Sequence, residues 1–183
     1  VPDSGNSACV GYSRESGIPM DIVFIRSHYV GRTFIQPNQR DRDRMVRVKM
    51  NCMREVIDGK RVVVIDDSVV RGTTTRGKMK AIREAGAKEI HLRISAPPIR
   101  HPCFYGIDFP TTDELIAANR SVEEIREFLG IDSMGYISLP GLLSCVSRPP
   151  DHYCTACFSG RYPCPVDGRG DKYAMERHQL SMF

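Results

Sequence analysis

Residues 62–74 read VVVIDDSVVRGTT. Val62, Val63, Val64 and Ile65 form a continuous β-branched run, the pattern of a strand buried on both faces in a parallel sheet. The run ends on two adjacent carboxylates, Asp66 and Asp67, and passes into Arg71, Gly72, Thr73 and Thr74. Two like charges at a strand end are costly unless a cation or hydroxyl groups meet them. A hydrated Mg²⁺ or the vicinal hydroxyls of a ribose would satisfy that need. Gly72 lets the backbone approach a ligand closely, and Thr73 and Thr74 carry hydroxyls to a helix start. Consecutive N–H groups in such a turn form an anion nest. One end of the loop therefore suits metal or sugar and the other phosphate. Taken singly, Asp67 or Ser68 could cap a turn and Thr73 could cap the helix; the combination after a buried strand points to a ligand. The stretch lacks the spacing and Gly-Lys-Ser/Thr ending of a Walker loop, and the G-x-G-x-x-G of dinucleotide folds.

Working outward, the pattern predicts a short helix before Gly17-Ile18-Pro19, a strand at 22–25 and a helix over 45–57. A helix over 75–85 closed by Gly86, with Met79 and Ile82 on one face, and a strand at 89–95 follow. Helices are expected at 112–118 and 121–129, the second opened by a capping box of Ser121 and Glu124. A last strand at 134–139 and a helical turn at 140–146 complete the pattern. Strands alternating with helices imply an α/β fold with a mostly parallel sheet flanked by helices, and ligands at the carboxyl ends of its strands. Residues 1–147 are expected to form one domain, 148–165 an irregular cysteine-bearing segment and 166–183 a disordered tail.

The 183 residues are 41% hydrophobic and 26% charged, an ordinary globular composition, with no apolar run long enough to span a bilayer. With no leader-like start either, the chain reads as cytoplasmic, with no membrane partner. Lys and Arg number 26 against 22 Asp and Glu. Arg26, Arg32, Arg40, Arg42, Arg44, Arg47 and Lys49 crowd one polar stretch that lacks periodicity. A nucleic-acid arm, a solvated basic face and a phosphate-rich small substrate all fit that charge. Seven cysteines without a secretory signal argue against a disulfide framework. Cys154-x-x-Cys157 alone is half of a tetrahedral metal site.

The 62–74 stretch closely resembles the phosphoribosyl pyrophosphate (PRPP) motif of type I phosphoribosyltransferases. YVGRTFIQP (29–37) resembles the active-site loop of the glutamine PRPP amidotransferases, and PCFYGID (102–108), ELIAANRSVEEIREFLG (114–130) and CTACFSGRYP (154–163) continue that likeness. It covers roughly residues 1–165. The resemblance implies a type I phosphoribosyltransferase fold and an enzyme that displaces pyrophosphate from PRPP with ammonia to begin purine biosynthesis. Asp66 and Asp67 would face the ribose hydroxyls and Mg²⁺. Ser68, with the backbone and hydroxyls of Arg71, Gly72, Thr73 and Thr74, would complete the substrate site around the 5-phosphate. Ser4, in PDSG, matches the pyrophosphate-loop serine that also reaches Mg²⁺. Arg32 and Thr33 lie on the closing loop; Arg26, where the family more often has Lys, and Lys49 supply cations near the diphosphate.

The same resemblance matches Cys103, Cys154 and Cys157 to three ligands of a [4Fe–4S] cluster found in a subset of the family. The fourth ligand, the strand feeding the PDSG turn, and the glutaminase domain that supplies ammonia from glutamine are expected upstream of residue 1. Purine nucleotides as feedback inhibitors and a homo-oligomer are also implied, with no nucleic-acid partner. Rival readings are a phosphoribosyltransferase acting on a free base and a PRPP-sensing regulator without catalysis.

Overall fold

The computed structural model describes residues 1, 3–26, 50–107, 109 and 111–165. In chain order the elements are α1 (Asn6–Ser16), β1 (Phe24–Arg26), β2 (Met50–Cys52), α2 (Arg54–Ile57), β3 (Arg61–Asp66) and α3 (Thr73–Glu84). These are followed by β4 (Glu89–Ile94), α4 (Ile116–Asn119), α5 (Val122–Leu129), β5 (Ser133–Tyr136), α6 (Leu139–Ser144) and α7 (Ala156–Ser159). Strands β3, β4 and β5 form a parallel sheet in that order, while β1 and β2 form a separate antiparallel pair. Helices fill both crossovers of the parallel sheet, as parallel pairing requires.

Register assigns the faces. Val62 pairs with Ile90, Val64 with Leu92 and Asp66 with Ile94. Paired residues of a parallel ladder share a face, so Asp66 points to the same side as Ile90, Leu92 and Ile94, all within 3% of complete burial. That side packs with Met79 and Ile82 of α3 and with Ile125 and Leu129 of α5 in one core. The opposite side of β4 is polar. His91 Nδ1 meets Ser133 Oγ at 2.8 Å, and Arg61 donates to Glu89 at 2.8 Å. Val62–Val64 are only half-buried, short of the full two-sided burial the sequence suggested.

The 45–57 helix needs correction. Residues 45–49 lie outside the described residues; within 50–57 only Arg54–Ile57 is helical, and Met50–Cys52 pair with Phe24–Arg26 as a strand. Met53 N–H also donates to Val23 O at 3.0 Å. Cross-strand partners override a local preference that nothing else in the segment enforces. The 134–139 strand likewise stops at Tyr136, because Ser138 caps the next helix by accepting from Gly141 N–H.

Two local devices hold α5 and β5 in place. Ser121 and Glu124 form the capping box, each accepting from the other's backbone N–H. Ser121→Ala is expected to lower stability by about 1 kcal/mol, read from the denaturant midpoint. Asp132 accepts from Ile90 N–H and from Arg83, both at 2.7 Å. The Ile90 N–H first, then the guanidinium, hold this carboxyl below its ordinary 3.8. A depressed carboxylate stabilises the fold above its unfolded value and ceases to do so as pH falls through its folded value. The melting-temperature gap between wild type and Asp132→Asn should therefore close as pH falls below 3.8.

The segment after residue 148 contains the short α7, with Ala156 buried. It folds back on residues 100–105. Arg100 and His101 N–H both donate to Cys157 O at 3.0 Å, and Tyr162 OH donates to Pro102 O at 2.8 Å. Among the described residues no helix is long and apolar enough to cross a membrane.

Candidate active site

The adjacent carboxylates at the end of β3 have different surroundings. Asp66, 3% exposed, faces inward. Its Oδ1 accepts Asp67 N–H at 3.0 Å and its Oδ2 lies 3.4 Å from Lys78 Nζ on α3. Asp67 faces the turn that precedes α1. Ser4 lies close enough to act on it, and its Oδ2 accepts from Ser68 Oγ at 3.2 Å. Burial pushes Asp66 above the usual carboxylate range, against the pull of Lys78. Burial also opposes ionisation of Asp67, but its interactions with the Asp66 side chain, Ser4 and the Ser68 hydroxyl outweigh it and hold that carboxyl low. Asp67 is thus the more readily ionised of the two.

Ser4 is brought to this point by a close approach at Gly5. A Cβ there would lie 2.9 Å from Ile65 O and 2.8 Å from Val1 O, so only glycine lets the turn lie against the strand end. Ser4 is legible in the PDSG stretch, whereas the glycine that seats it is visible only in the fold.

Beyond the carboxylates the chain is pinned into a loop. Val69 is buried, Val70 O accepts Ile116 N–H at 2.9 Å, and the Arg71 guanidinium pairs with Glu114. The Arg71 side chain is therefore turned toward Glu114, leaving its backbone to the loop. Gly72 is left-handed, φ 75°, and directly precedes α3. No side chain caps this helix, and its first turn carries no acidic residue. The first N–H groups of a helix have no partner within it, and Thr73 and Thr74 are exposed beside them. An anion meets a positive helix end with hydroxyls close by.

The donor set suits a hard cation: two carboxylates and the Ser4 hydroxyl are oxygen donors, which Mg²⁺ takes alongside water and substrate phosphate. Cys103, Cys154 and Cys157 lie near one another. Burial first, then the neighbouring Cys103 and Cys154, push the Cys157 thiol up. Among the described residues, however, no group of three or more His, Cys, Asp or Glu side chains converges as a metal site. Arg32, Thr33, Lys49 and the Arg26 side chain lie outside the described residues, as does the 166–183 tail. An apolar cavity of about 190 Å³, lined by Cys9, Ile22, Phe24, Val64 and Ile82 among others, opens along β3. It includes none of residues 66–74, where the convergent polar groups are.

Sequence reasoning missed Lys78. Its signal was available: Thr75, Lys78, Met79 and Ile82 are spaced along one helix face, and the other three are buried. A lysine on such a stripe needs a partner for its charge.

A parallel sheet with helical crossovers, a carboxylate pair at a strand end and a bare helix N-terminus after a left-handed glycine define a type I phosphoribosyltransferase fold. The chain is 52% identical over 166 residues to amidophosphoribosyltransferase of Synechocystis, covering 91% of this chain and 34% of that protein. It is 51% identical over 177 residues to that of Methanothermobacter thermautotrophicus, covering 97% and 37%. The solved structure of glutamine PRPP amidotransferase from B. subtilis, complexed with ADP and GMP, superposes with a TM-score of 0.77 at 51% identity, covering 88% of this chain and 36% of that one. No protein-family model matches. The chain belongs to the amidophosphoribosyltransferase family and spans about a third of the length of these relatives.

Proposed function

We propose that the chain carries the phosphoribosyl-transfer half of an amidophosphoribosyltransferase: ammonia displaces pyrophosphate from PRPP to give 5-phosphoribosylamine, the first step of purine biosynthesis. The observation that carries this reading is one loop presenting carboxylates at one end and an uncapped helix N-terminus at the other. In the reaction the nitrogen lone pair attacks the anomeric carbon as the carbon–oxygen bond to diphosphate breaks. The diphosphate leaves with that electron pair, and the new amine gives up a proton.

Each part of the loop has a share in this. The N–H groups and hydroxyls at Arg71, Gly72, Thr73 and Thr74 hold the 5-phosphate and fix the anomeric carbon above the strand end. Asp67 and Ser68 would face the ribose, with Asp66 behind them bonded to Asp67 N–H and Lys78, and Asp67 with Ser4 would hold Mg²⁺. When bound, the metal meets negative charge growing on the diphosphate. Arg26, Arg32, Thr33 and Lys49 would add donors at the leaving group, and closure over PRPP would keep water out.

Glutamine would supply ammonia through a glutaminase domain outside this chain, and purine nucleotides would act as feedback inhibitors of a homo-oligomer. Cys103, Cys154 and Cys157 would provide three thiolates of a [4Fe–4S] cluster whose fourth ligand lies elsewhere; such a cluster would tie 100–105 to 153–164. Iron-reconstituted protein should show the broad thiolate-to-iron absorbance and lose it in Cys157→Ser.

The test is pyrophosphate release from PRPP with ammonium and Mg²⁺, measured on the complete polypeptide. Turnover is expected in wild type and its loss in Asp66→Ala/Asp67→Ala; undiminished turnover in the double variant would sink the assignment.

A further inference from the structure

The start of α3 lacks the carboxylates that helix starts favour and has cations beside it instead. Its first turn carries no acidic residue. Arg76 N–H donates to Gly72 O at 2.8 Å, so residue 76 stands over residue 72 on one helix face. The Arg76 guanidinium lies 4.8 Å from the centre of the Phe128 ring on α5, and that of Arg120 lies 4.7 Å from the same centre. The ring's edge would be 3.3 Å from a Cβ at Gly72. One aromatic ring thus holds two guanidiniums within about a Debye length, ~10 Å, of the turn that opens the helix.

The carboxylates around this pair are engaged elsewhere. Glu114 pairs with Arg71, Glu123 and Glu127 pair with Arg126, and Glu124 closes the capping box with Ser121. Arg120 acts on Glu124 only as a lesser influence than Ser121. Among the described residues Arg76 and Arg120 form no ion pair, and both are exposed. Positive charge beside a helix start opposes its dipole and costs stability unless an anion arrives to meet it.

We infer that Arg76 and Arg120, braced on Phe128, are the cations that draw the 5-phosphate of the substrate to the start of α3 and hold it there through space. This rests on the phosphoribosyl reading of the loop. The N–H groups and hydroxyls at residues 71–74 carry no net charge, and the Arg71 guanidinium is cancelled by Glu114. A phosphate dianion at the helix start would otherwise face only partial charges. Two guanidiniums supply whole charges, and stacking on one ring limits the rotamer freedom that usually blunts a surface arginine. The 5-phosphate does not react, so this attraction is the same in bound substrate and transition state; it lowers KM and leaves kcat alone.

The experiment measures pyrophosphate release from PRPP with ammonium and Mg²⁺ on the complete polypeptide, with ribose 5-phosphate and pyrophosphate as inhibitors. Arg76→Gln/Arg120→Gln should raise KM for PRPP roughly fivefold at low salt with kcat unchanged. Inhibition by ribose 5-phosphate should weaken by the same factor, while pyrophosphate inhibits as it does wild type. The gap from wild type should close toward about 1 M KCl, where the Debye length is ~3 Å. Arg76→Lys/Arg120→Lys should behave as wild type, since it keeps both charges. A pair that only packs on Phe128 would instead give a salt-independent loss of melting temperature and kcat. Unchanged KM, a gap that persists at high salt, or equal weakening of both inhibitors would overturn the inference, as would the lysine variant behaving like the glutamine one. Arg120→Gln alone gives the same comparison, with a smaller gap, if the double variant does not fold; failure of both to fold would assign the pair to stability and overturn it. A wild type that ribose 5-phosphate inhibits no better than ribose would overturn the phosphoribosyl reading of the loop instead, a result independent of either arginine.

Discussion

Gly72→Ala is expected to cost roughly 2–6 kcal/mol of stability and to abolish phosphate binding at the loop. Two independent effects add. The residue sits at φ 75°, where a side chain is strained by about 1–3 kcal/mol. A Cβ would also lie 2.7 Å from Ile116 Cδ1 and 3.3 Å from Phe128 Cε1. Ile116 is buried and its N–H anchors Val70 O. Phe128 lies beneath the guanidinium groups of Arg76 and Arg120, 4.8 and 4.7 Å from its ring centre. Neither neighbour gives way cheaply, and overpacking costs about 1–3 kcal/mol more. Chemical denaturation would read the first effect and calorimetry with PRPP and Mg²⁺ the second. A variant as stable as wild type would show that the turn relaxes without strain.

Asp67→Ala should leave the fold nearly as stable as wild type and reduce pyrophosphate release at least about a hundredfold. Its side chain is partly exposed, and its partners Ser4 and Ser68 can turn to water. Nothing in the core depends on it. By contrast, loss of Asp66 would strand the Lys78 ammonium inside the protein, and stability would fall with activity. The lowered pKa of Asp67 keeps it charged across the neutral range, so the deficit should be constant above about pH 5. Comparing melting temperature with turnover in the two single variants checks this separation. Equal loss of stability in both would contradict the division between an inward and an outward carboxylate.

Much of this was legible in the sequence because the signals were local. The β-branched run before Asp66, the Gly17 and Gly86 helix stops, and the Ser121–Glu124 box each arise within a few residues, and each appears where expected. The Asp-Asp and Gly-Thr-Thr ends of the loop are likewise one contiguous stretch. What the sequence hid was set by partners far along the chain. Met50–Cys52 become a strand because Phe24–Arg26 lie beside them. Arg71 turns toward Glu114, 43 residues away. Ser4 meets Asp67 because Gly5 can lie against Ile65, and no spacing rule announces that approach. Lys78 stands between these cases, visible as a misplaced charge on an apolar stripe, with its partner visible only in the fold.

In the proposed function residues 66–74 hold a phosphoribosyl group with its phosphate on the helix start and its sugar toward the carboxylates. A crystal structure of the protein with PRPP and Mg²⁺ tests this most directly. The 5-phosphate is expected within hydrogen-bond distance of the N–H groups at Gly72, Thr73 and Thr74, and the metal beside Asp67 and Ser4. A 5-phosphate bound elsewhere, with the start of α3 left to solvent, would contradict it.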